Sequence, residues 1–229
     1  NKPLELINNK EMILHVYEAA KKTNIGEVYV ATPDQKVIDL IIKNGGKAVL
    51  TSLDHLTGTD RIHEVFKIQL KNEPNIIINL QGDMPNIDPQ AITHLVSYMN
   101  KGKCDIGTLA SSFSSESELR DKNNVKVVVK EKLMTNNFFE ATDFFRTSSK
   151  THENVYHHVG IYAFTNKALV RYVSLERSKL ELERKLEQLR ALENDMSIHV
   201  GYINSSPLSV DTNNDLIEVK KIMENDEKH

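Results

Sequence analysis

The sequence has a single cysteine, Cys104, among 229 residues. One thiol cannot form an intrachain disulfide or a cysteine-based zinc cluster, and it fits a reducing compartment. The apolar stretches are far shorter than the roughly 20 residues that a bilayer crossing requires. No basic start followed by an apolar run marks a signal peptide. We therefore expect a cytoplasmic protein without a membrane-spanning segment.

A large excess of charge of either sign is also missing. The formal net charge is -3 and the basic residues are scattered, so the chain lacks the basic surface that a sequence-independent nucleic-acid binder needs. Hydrophobic residues make up 39% and charged residues 27%, an ordinary balance for a chain long enough to bury one substantial core. We expect one domain over residues 1–229 and no nucleic-acid partner.

The fold class follows from the alternation of short β-branched runs with segments of helical period, which is typical of a parallel sheet covered by helices on both faces. The almost wholly apolar run 75–80 predicts a strand at the centre of that sheet. Residues 132–155 show no clean period, and 111–124 indicate a surface connection. Strands are predicted over 27–32, 47–51, 75–80, 105–110, 125–130, 157–164 and 197–203. Helices are predicted over 34–44, with Asp34 as N-cap, and over 58–70, 88–100, 179–194 and 214–225.

Two aspartates stand where such folds bind ligands. Asp83 follows the strand 75–80, and ligands of open parallel sheets bind outside the carboxyl ends of the strands. Asp211 comes directly before the final helix, whose cap is Thr212 or Asn213. Carboxylates suit Mg²⁺, which prefers oxygen ligands shared with substrate phosphates. Taken alone, Asp83 is explained equally well as a turn residue, and Asp211 is explained better as a structural residue. The pair therefore makes a metal site only if the fold brings both together.

Further polar groups are candidates for anion binding. The stretch 51–61 places Gly58 and Arg61 at a predicted helix start, where backbone N–H groups and a guanidinium favour phosphate, although an ordinary capped helix is the simpler interpretation. His157 and His158 are adjacent in a strand, so at most one of them can face a given pocket. The charged segment 179–194 contains Glu181, Glu183, Glu187, Arg184, Lys185 and Arg190, mostly as expected on a solvated helix face.

As a set, these motifs resemble the 3-deoxy-manno-octulosonate (Kdo) cytidylyltransferases. The resemblance runs through Asn79-Leu80-Gln81-Gly82-Asp83-Met84-Pro85, His158-Val159-Gly160-Ile161-Tyr162, Leu186-Glu187-Gln188-Leu189-Arg190 and Val210-Asp211-Thr212. It implies a single-domain, mostly parallel, Rossmann-like nucleotidyltransferase sheet and a homodimer. It also implies a reaction in which the anomeric hydroxyl of Kdo attacks the α-phosphorus of CTP, giving CMP-Kdo for lipopolysaccharide synthesis and releasing pyrophosphate.

The resemblance also assigns roles to residues. It implies that Asp83 and Asp211 hold Mg²⁺ and that Lys2 binds phosphate, and these three are the implied catalytic residues. Gly58, Arg61 and Gln81 would bind the nucleotide, with Arg61 and Gln81 also lining the sugar pocket. The remaining implied sugar contacts are His158, Tyr162, Glu187 and Gln188.

The sequence departs from the family in three places. Family members carry a strand and an Arg- and Ser-containing loop before the segment that Asn1-Lys2-Pro3 continues, and we expect that the sequence omits this strand and loop. Met84 stands where the family usually has Glu, and Glu140 aligns with an Arg, so a cation is replaced by an anion. Two alternatives therefore stay open, namely a cytidylyltransferase for another sugar acid of sialic-acid type and a non-catalytic nucleotide-binding relative or dimeric scaffold.

Overall fold

The structure, a computed structural model, describes residues 2–71, 73–148 and 152–226. The strands in these ranges, β1 to β10 in chain order, are Leu6–Ile7, Lys10–Glu11, Val30–Thr32, Ala48–Leu50, Ile76–Asn79, Ile106–Ser111, Lys126–Val129, Phe138–Phe145, Val155–Thr165 and Ile198–Tyr202. The α-helices, α1 to α9, are Met12–Lys22, Gln35–Lys43, Gly58–Ile68, Pro89–Met99, Glu116–Arg120, Asn166–Ser174, Lys179–Arg184, Leu189–Leu192 and Asn213–Asp226. The predicted α/β class is confirmed.

The described residues fall into two compact units. The first unit comprises residues 2–56, 81–93 and 207–226, and the second comprises 57–80 and 94–206. The chain therefore enters the second unit just before α3, leaves it after β5, and returns to it within α4. The expected single domain over residues 1–229 stays a prediction.

The first unit contains the parallel arrangement that the sequence predicts. β3 and β4 pair in parallel and are joined by α2. Asp34 is the N-cap of α2, since its Oδ1 accepts a hydrogen bond of 2.8 Å from the backbone N–H of Lys36. Val37 and Ile41 on α2 are fully buried and pack with residues of α1. This βαβ segment matches the sequence prediction closely.

The second unit has a different sheet from the one predicted. Its strand order is β5-β9-β6-β10-β8-β7, and β7 also pairs with β9, so five strands close into a ring. Within this sheet β6 and β10 are parallel, whereas the other pairings are antiparallel. The predicted mostly parallel sheet is therefore wrong for this unit. Since no crossover helix separates β7, β8 and β9, these successive strands pair in antiparallel fashion.

The predicted central position of the strand 75–80 is also wrong. Among the described strands β5 pairs with β9 alone and lies at the end of the strand order. Ile77 and Asn79 are buried while Ile76 and Ile78 are only half-buried, as in a strand with one covered face. The apolar run suggested burial on both faces, which this alternation does not support.

Two further segments differ from their predictions. The expected helix 179–194 is broken into α7 and α8 by Lys185, which has a left-handed backbone with φ of 55°. The stretch 132–155, which has no predicted structure, contains β8 and the start of β9, while 149–151 lie outside the described residues. The surface connection 111–124 contains the short helix α5, none of whose residues is buried.

Candidate functional site

The two aspartates that the sequence singles out meet at one lysine in the first unit. Lys2 Nζ donates to Asp83 Oδ2 at 3.0 Å and to Asp211 Oδ1 at 2.9 Å. Partial burial alone would lower the pKa of Lys2, but hydrogen bonds to and attraction by Asp211 and Asp83 outweigh it and raise the pKa. The ammonium is therefore charged at neutral pH, and the fold holds a cation between two carboxylates that are 128 residues apart in sequence.

Backbone contacts hold these side chains together. The N–H of Val210 donates to the carbonyl oxygen of Asp83 at 2.9 Å, which fixes the two aspartate segments side by side. Val210 itself is buried in an apolar cluster with Ile7, Met12 and Val219. Gly82 lies so close to Ile13 that an added Cβ would come within 3.0 Å of the Ile13 side chain. A small residue is therefore favoured immediately before Asp83.

The start of α9 orients Asp211. The Asp215 carboxylate accepts hydrogen bonds from the backbone N–H groups of Asp211 at 2.9 Å and Thr212 at 2.7 Å. In return, Thr212 Oγ1 accepts from the N–H of Asp215 at 3.2 Å. This reciprocal capping confirms Thr212 as the cap and leaves the Asp211 carboxylate exposed, at 72% of its free accessibility.

The chemistry of this pair fits a divalent cation. Within the described ranges no three His, Cys, Asp or Glu side chains gather closely enough to form a metal-binding cluster. Two carboxylates, one partly buried and one exposed, are what Mg²⁺ uses when it keeps several waters and shares the rest of its coordination with substrate phosphates. The position of the Lys2 ammonium shows that both carboxylates can face one cation.

In the second unit, the predicted sugar contacts Tyr162, Glu187 and Gln188 line one small cavity. Its volume is about 10 Å³, room for roughly one water molecule, and Thr59 and Tyr172 also face it. Glu187 Oε2 is buried and has no hydrogen-bond partner among the described residues. Burial raises the pKa of Glu187 although the hydroxyls of Thr59 and Thr57 lower it. Within the described part of the chain, Glu187 Oε2 is thus a buried carboxyl oxygen without a hydrogen-bond partner, beside a cavity whose accessible surface is apolar.

Tyr162 faces the same carboxyl group. Burial and the charge of Glu187 raise the pKa of Tyr162 well above its usual value, so its hydroxyl keeps its proton. Tyr172 donates a hydrogen bond of 2.8 Å to the backbone carbonyl oxygen of Glu187. A phenol, a carboxyl group and the Gln188 amide together offer both donors and acceptors, which is the set that a polyhydroxylated ligand requires.

His158 is a neutral hydrogen-bonding group rather than a base. It is 7% exposed, and burial lowers its pKa to about 3. Its Nε2 lies 2.9 Å from Thr108 Oγ1, which donates its own hydrogen to the carbonyl oxygen of Ile161 at 2.7 Å. Because the contact to Ile161 is the shortest that Thr108 Oγ1 makes, we assign its hydrogen to Ile161, which places the ring proton of His158 on Nε2 and leaves Nδ1 as an acceptor.

The two adjacent histidines face different surroundings, as predicted. His157 lies 2.8 Å from Glu118 and stacks on Phe113, whereas His158 contacts Phe144 and Tyr162. Burial lowers the pKa of His157 although Glu118 opposes this shift. The pair is not a two-histidine metal site.

The remaining predicted nucleotide residues lie in both units. Gly58 and Arg61 belong to the first turn of α3 in the second unit, where Thr57 Oγ1 caps the helix by accepting from the N–H of Asp60 at 3.2 Å. Gln81 belongs to the first unit, two residues before Asp83. The nucleotide-binding role of these three residues stays a prediction.

Met84 and Glu140, the two residues that differ from the usual family residues, are each accommodated by their surroundings. Met84 is 4% exposed and belongs to the apolar interior. Glu140 on β8 forms an ion pair with Lys130, and its charge is thereby compensated. Asp143, three residues further along β8, is also paired, since Arg184 Nη1 donates to its Oδ1 at 2.6 Å.

Several groups around the cavity have no counterpart in the sequence predictions. Thr57, Thr59 and Thr108 hold Glu187 and His158, and their hydroxyls could be inferred only from the pairing of distant segments. Glu181 and Arg190 are buried, although the charge pattern favoured a solvated face. These two residues pair because the helix is broken at Lys185, between them. Helical periodicity does not reveal such a break, so it could not predict that residues nine apart would meet.

None of the helices in the described ranges has both the length and the apolar content that a bilayer crossing requires.

Comparisons with known proteins agree along nearly the whole chain. The cytidylyltransferase family profile matches residues 1–198. The chain is 42% identical over 224 residues to a 3-deoxy-manno-octulosonate cytidylyltransferase of Bartonella tribocorum, covering 97% of this chain and 91% of the relative. A protein of the same name from Brucella anthropi is 39% identical over 218 residues, covering 94% and 87%.

Solved structures give the same picture. A CMP:2-keto-3-deoxy-manno-octonic acid synthetase in complex with CTP superposes with a TM-score of 0.88 at 35% identity, over 98% of this chain and 92% of the other. An apo UDP-glucose pyrophosphorylase superposes with a TM-score of 0.71 at 12% identity, over 99% and 91%. The second likeness supports the fold alone, which is the α/β nucleotidyltransferase fold.

Proposed function

Because the chain belongs to the 3-deoxy-manno-octulosonate cytidylyltransferase family, we propose that Asp83, Asp211 and Lys2 are its metal- and phosphate-binding residues. The chain is a cytidylyltransferase that activates Kdo with CTP to give CMP-Kdo for lipopolysaccharide synthesis. In this reaction the anomeric oxygen of Kdo forms a bond to the α-phosphorus of CTP. The bond from that phosphorus to the pyrophosphate oxygen breaks, pyrophosphate leaves, and the hydroxyl proton is lost.

The Lys2 ammonium between Asp83 and Asp211 is the observation that carries this assignment. It supports a role for the two carboxylates as the holders of Mg²⁺. When bound, Mg²⁺ neutralises phosphate charge and lowers the pKa of the attacking hydroxyl, so no dedicated protein base is needed. Lys2 itself provides a positive charge for the phosphates of CTP, and phosphoryl transfer depends mainly on such positioning and charge neutralisation.

We assign the sugar to the second-unit residues His158, Tyr162, Glu187 and Gln188. His158 Nδ1 accepts a hydrogen bond from a sugar hydroxyl, because its Nε2 proton is committed to Thr108. The unpartnered Glu187 Oε2 accepts another, and the Tyr162 hydroxyl donates. Gly58, Arg61 and Gln81 complete the proposal as nucleotide contacts, with Arg61 and Gln81 also facing the sugar. We further propose that the enzyme works in the cytoplasm, where CTP is made, and as a homodimer, which light scattering tests.

The metal assignment is tested with Asp83→Asn and Asp211→Asn, which keep size and remove one charge each. Mn²⁺ binding followed by electron paramagnetic resonance should weaken in both variants, and Kdo-dependent pyrophosphate release should fall by about 10²-fold or more. Asp39→Asn is the matched control, since Asp39 lies exposed on α2 in the same unit and bonds only locally to Gln35. Wild-type Mn²⁺ binding and turnover in either site variant would refute the assignment.

A further inference from the structure

A buried ion pair lies behind the cavity residues of the second unit. Arg190 is 3% exposed and donates from Nε to Glu181 Oε2 at 2.9 Å and from Nη2 to Glu181 Oε1 at 2.7 Å. Glu181 is fully buried, and its carboxylate also accepts from Arg177 at 2.9 Å and from the N–H of Ser178 at 3.2 Å. All four contacts stabilise the charged carboxylate, and the geometry is the planar fork that a lysine cannot reproduce.

This pair depends on the break at Lys185. In one continuous α-helix, residues nine apart point to opposite sides and are separated by about 13 Å along the axis. The left-handed backbone of Lys185 reverses the chain, and the N–H of Leu186 then bonds to the carbonyl oxygen of Glu181 at 3.3 Å. The ion pair therefore closes a tight turn, and the residues inside that turn include Glu187 and Gln188.

Arg190 also reaches Glu187 through Tyr172. Its guanidinium lies 4.5 Å from the centre of the Tyr172 ring, within the range of a cation–π contact. The hydroxyl of the same tyrosine donates to the carbonyl oxygen of Glu187 at 2.8 Å. Arg190 thus packs on the ring face of Tyr172, and the Tyr172 hydroxyl holds the backbone of Glu187 in place.

A second path runs through the start of α3. Arg190 Nη1 lies 3.8 Å from Asp60 Oδ1, and Asp60 Oδ2 accepts a hydrogen bond of 2.8 Å from Thr57 Oγ1. The Thr59 hydroxyl in turn hydrogen-bonds the Glu187 carboxyl group, and Thr57 lies close enough to this group to help lower its pKa. Arg190 therefore contacts Tyr172, which holds the backbone of Glu187, and Asp60, which lies next to the threonines at the Glu187 carboxyl group. Arg190 itself does not line the cavity.

We propose that Arg190, paired with Glu181, is a positioning residue for the sugar acid, acting through Glu187 and Gln188. The inference rests on the proposed assignment of those two residues as sugar contacts. It predicts that loss of the guanidinium fork weakens Kdo binding more than CTP binding, because the metal- and phosphate-binding residues Lys2, Asp83 and Asp211 belong to the other unit. The proposed nucleotide contacts Gly58 and Arg61 share the start of α3 with Asp60, so a smaller effect on CTP is expected as well.

The experiment compares Arg190→Lys, which keeps the charge and loses the fork, with Arg184→Lys. Arg184 is the matched control, because it too forms an ion pair from this segment, to Asp143 at 2.6 Å, but does not contact Tyr172 or Asp60 in the structure. Steady-state pyrophosphate release is measured at varied Kdo and varied CTP, with circular dichroism to monitor folding. We expect Arg190→Lys to raise the KM for Kdo about tenfold and to raise the KM for CTP much less. Arg184→Lys should leave both within about twofold.

The double variant Arg190→Lys, Glu187→Gln separates positioning from general destabilisation. If Arg190 acts through Glu187, its effect on the KM for Kdo should largely disappear once Glu187 is replaced. Additive effects, or equal losses for Kdo and CTP, would overturn the positioning role. Should Arg190→Lys fail to fold, Glu181→Gln weakens the same pair with a nearly isosteric neutral group and is judged by the same criteria.

Glu187→Gln and Gln188→Ala alone distinguish the two claims. If both variants leave the KM for Kdo unchanged, the assignment of Glu187 and Gln188 as sugar contacts is wrong, and the positioning role of Arg190 is refuted as well. If both raise that KM and neither Arg190→Lys nor Glu181→Gln does, the sugar assignment stands and the positioning role alone is refuted.

Discussion

Replacement of Lys2 by methionine should change metal binding and turnover in opposite directions. In the structure the Lys2 ammonium contacts both proposed metal ligands, at 3.0 Å and 2.9 Å. A divalent cation that binds Asp83 and Asp211 must displace it. Lys2→Met removes this internal competitor, and at the same time it removes a positive charge that the phosphates of CTP require.

The magnitude follows from the exposure of the ion pairs. The Lys2 side chain is 39% exposed, and Asp83 and Asp211 are 27% and 72% exposed, so each pair contributes about 0.2–1 kcal/mol. Two such pairs correspond to a rise in the metal affinity of the free protein of roughly 2- to 30-fold. Loss of a charge that acts on the transferred phosphate should lower kcat/KM for CTP by about 10²-fold.

Mn²⁺ binding is measured by electron paramagnetic resonance in the absence of nucleotide, and turnover by pyrophosphate release. Lys10→Met is the matched control, because Lys10 has nearly the same exposure, 38%, and is paired with Glu18 at 2.8 Å in the same unit. Neither quantity should change in the control. Unchanged or weaker Mn²⁺ binding by Lys2→Met would show that the ammonium does not share its position with the metal, and the reasoning would be refuted.

Two further predictions concern stability. The pKa of His158 is about 3 in the fold, below its ordinary value of 6.5. The contribution of the neutral ring to the free energy of unfolding is therefore complete above pH 6.5 and is lost as the pH falls. Between pH 6.5 and 4 the loss amounts to about 3 kcal/mol. Urea unfolding of wild type and His158→Gln across this range should show the gap in unfolding free energy shrinking by that amount, and a pH-independent gap would contradict it. Gly201→Ala should cost about 1–3 kcal/mol, since the added Cβ would overlap a Phe138 ring that is already stacked on Tyr98 at 3.8 Å. Gly160→Ala on β9 meets nothing within 4 Å and is the thermal-denaturation control; equal melting temperatures for the two variants would show that the Phe138 contact is not restrictive.

Local chemistry in the first unit could be predicted from the sequence. Asp34 is recognisable as an N-cap because a short acceptor side chain directly precedes an amphipathic run, and the structure places it there. Thr212 caps α9 for the same reason. In both cases the decisive hydrogen bond joins residues that are two or three apart, so the sequence contains nearly all of the information.

Pairing in the second unit depends on distant residues and could not be predicted in this way. The almost wholly apolar run 75–80 predicts a central strand, but β5 ends the strand order because β9 is its one partner among the described strands. Glu181 and Arg190 looked like solvated helix residues, because the left-handed turn at Lys185 is formed by a residue with no intrinsic preference for it. The buried ion pair, the apolar packing of Leu186 and the backbone hydrogen bonds to the carbonyl oxygen of Glu181 stabilise that turn.

The candidate site shows the same division. Spacing alone left Asp83 and Asp211 no better explained as metal ligands than as turn or cap residues. The resemblance to the Kdo cytidylyltransferases joined them, and the hydrogen bond between Val210 and Asp83 gives the physical reason that they meet. The hydroxyls of Thr57, Thr59 and Thr108 could not be assigned, since their partners Glu187 and His158 come from other elements of the second unit.

The most direct test is an end-point assay of pyrophosphate released from CTP and Mg²⁺ by the wild-type protein, with Kdo, a sialic acid or no sugar acid present. Kdo should support release with one CMP-Kdo formed per pyrophosphate, and addition of excess chelator should abolish it. Sialic acid and the sugar-free reaction should give only background. Release that is independent of Kdo, equal with sialic acid or insensitive to chelation would contradict the assignment of Asp83 and Asp211 as the metal-binding pair of a Kdo-activating enzyme.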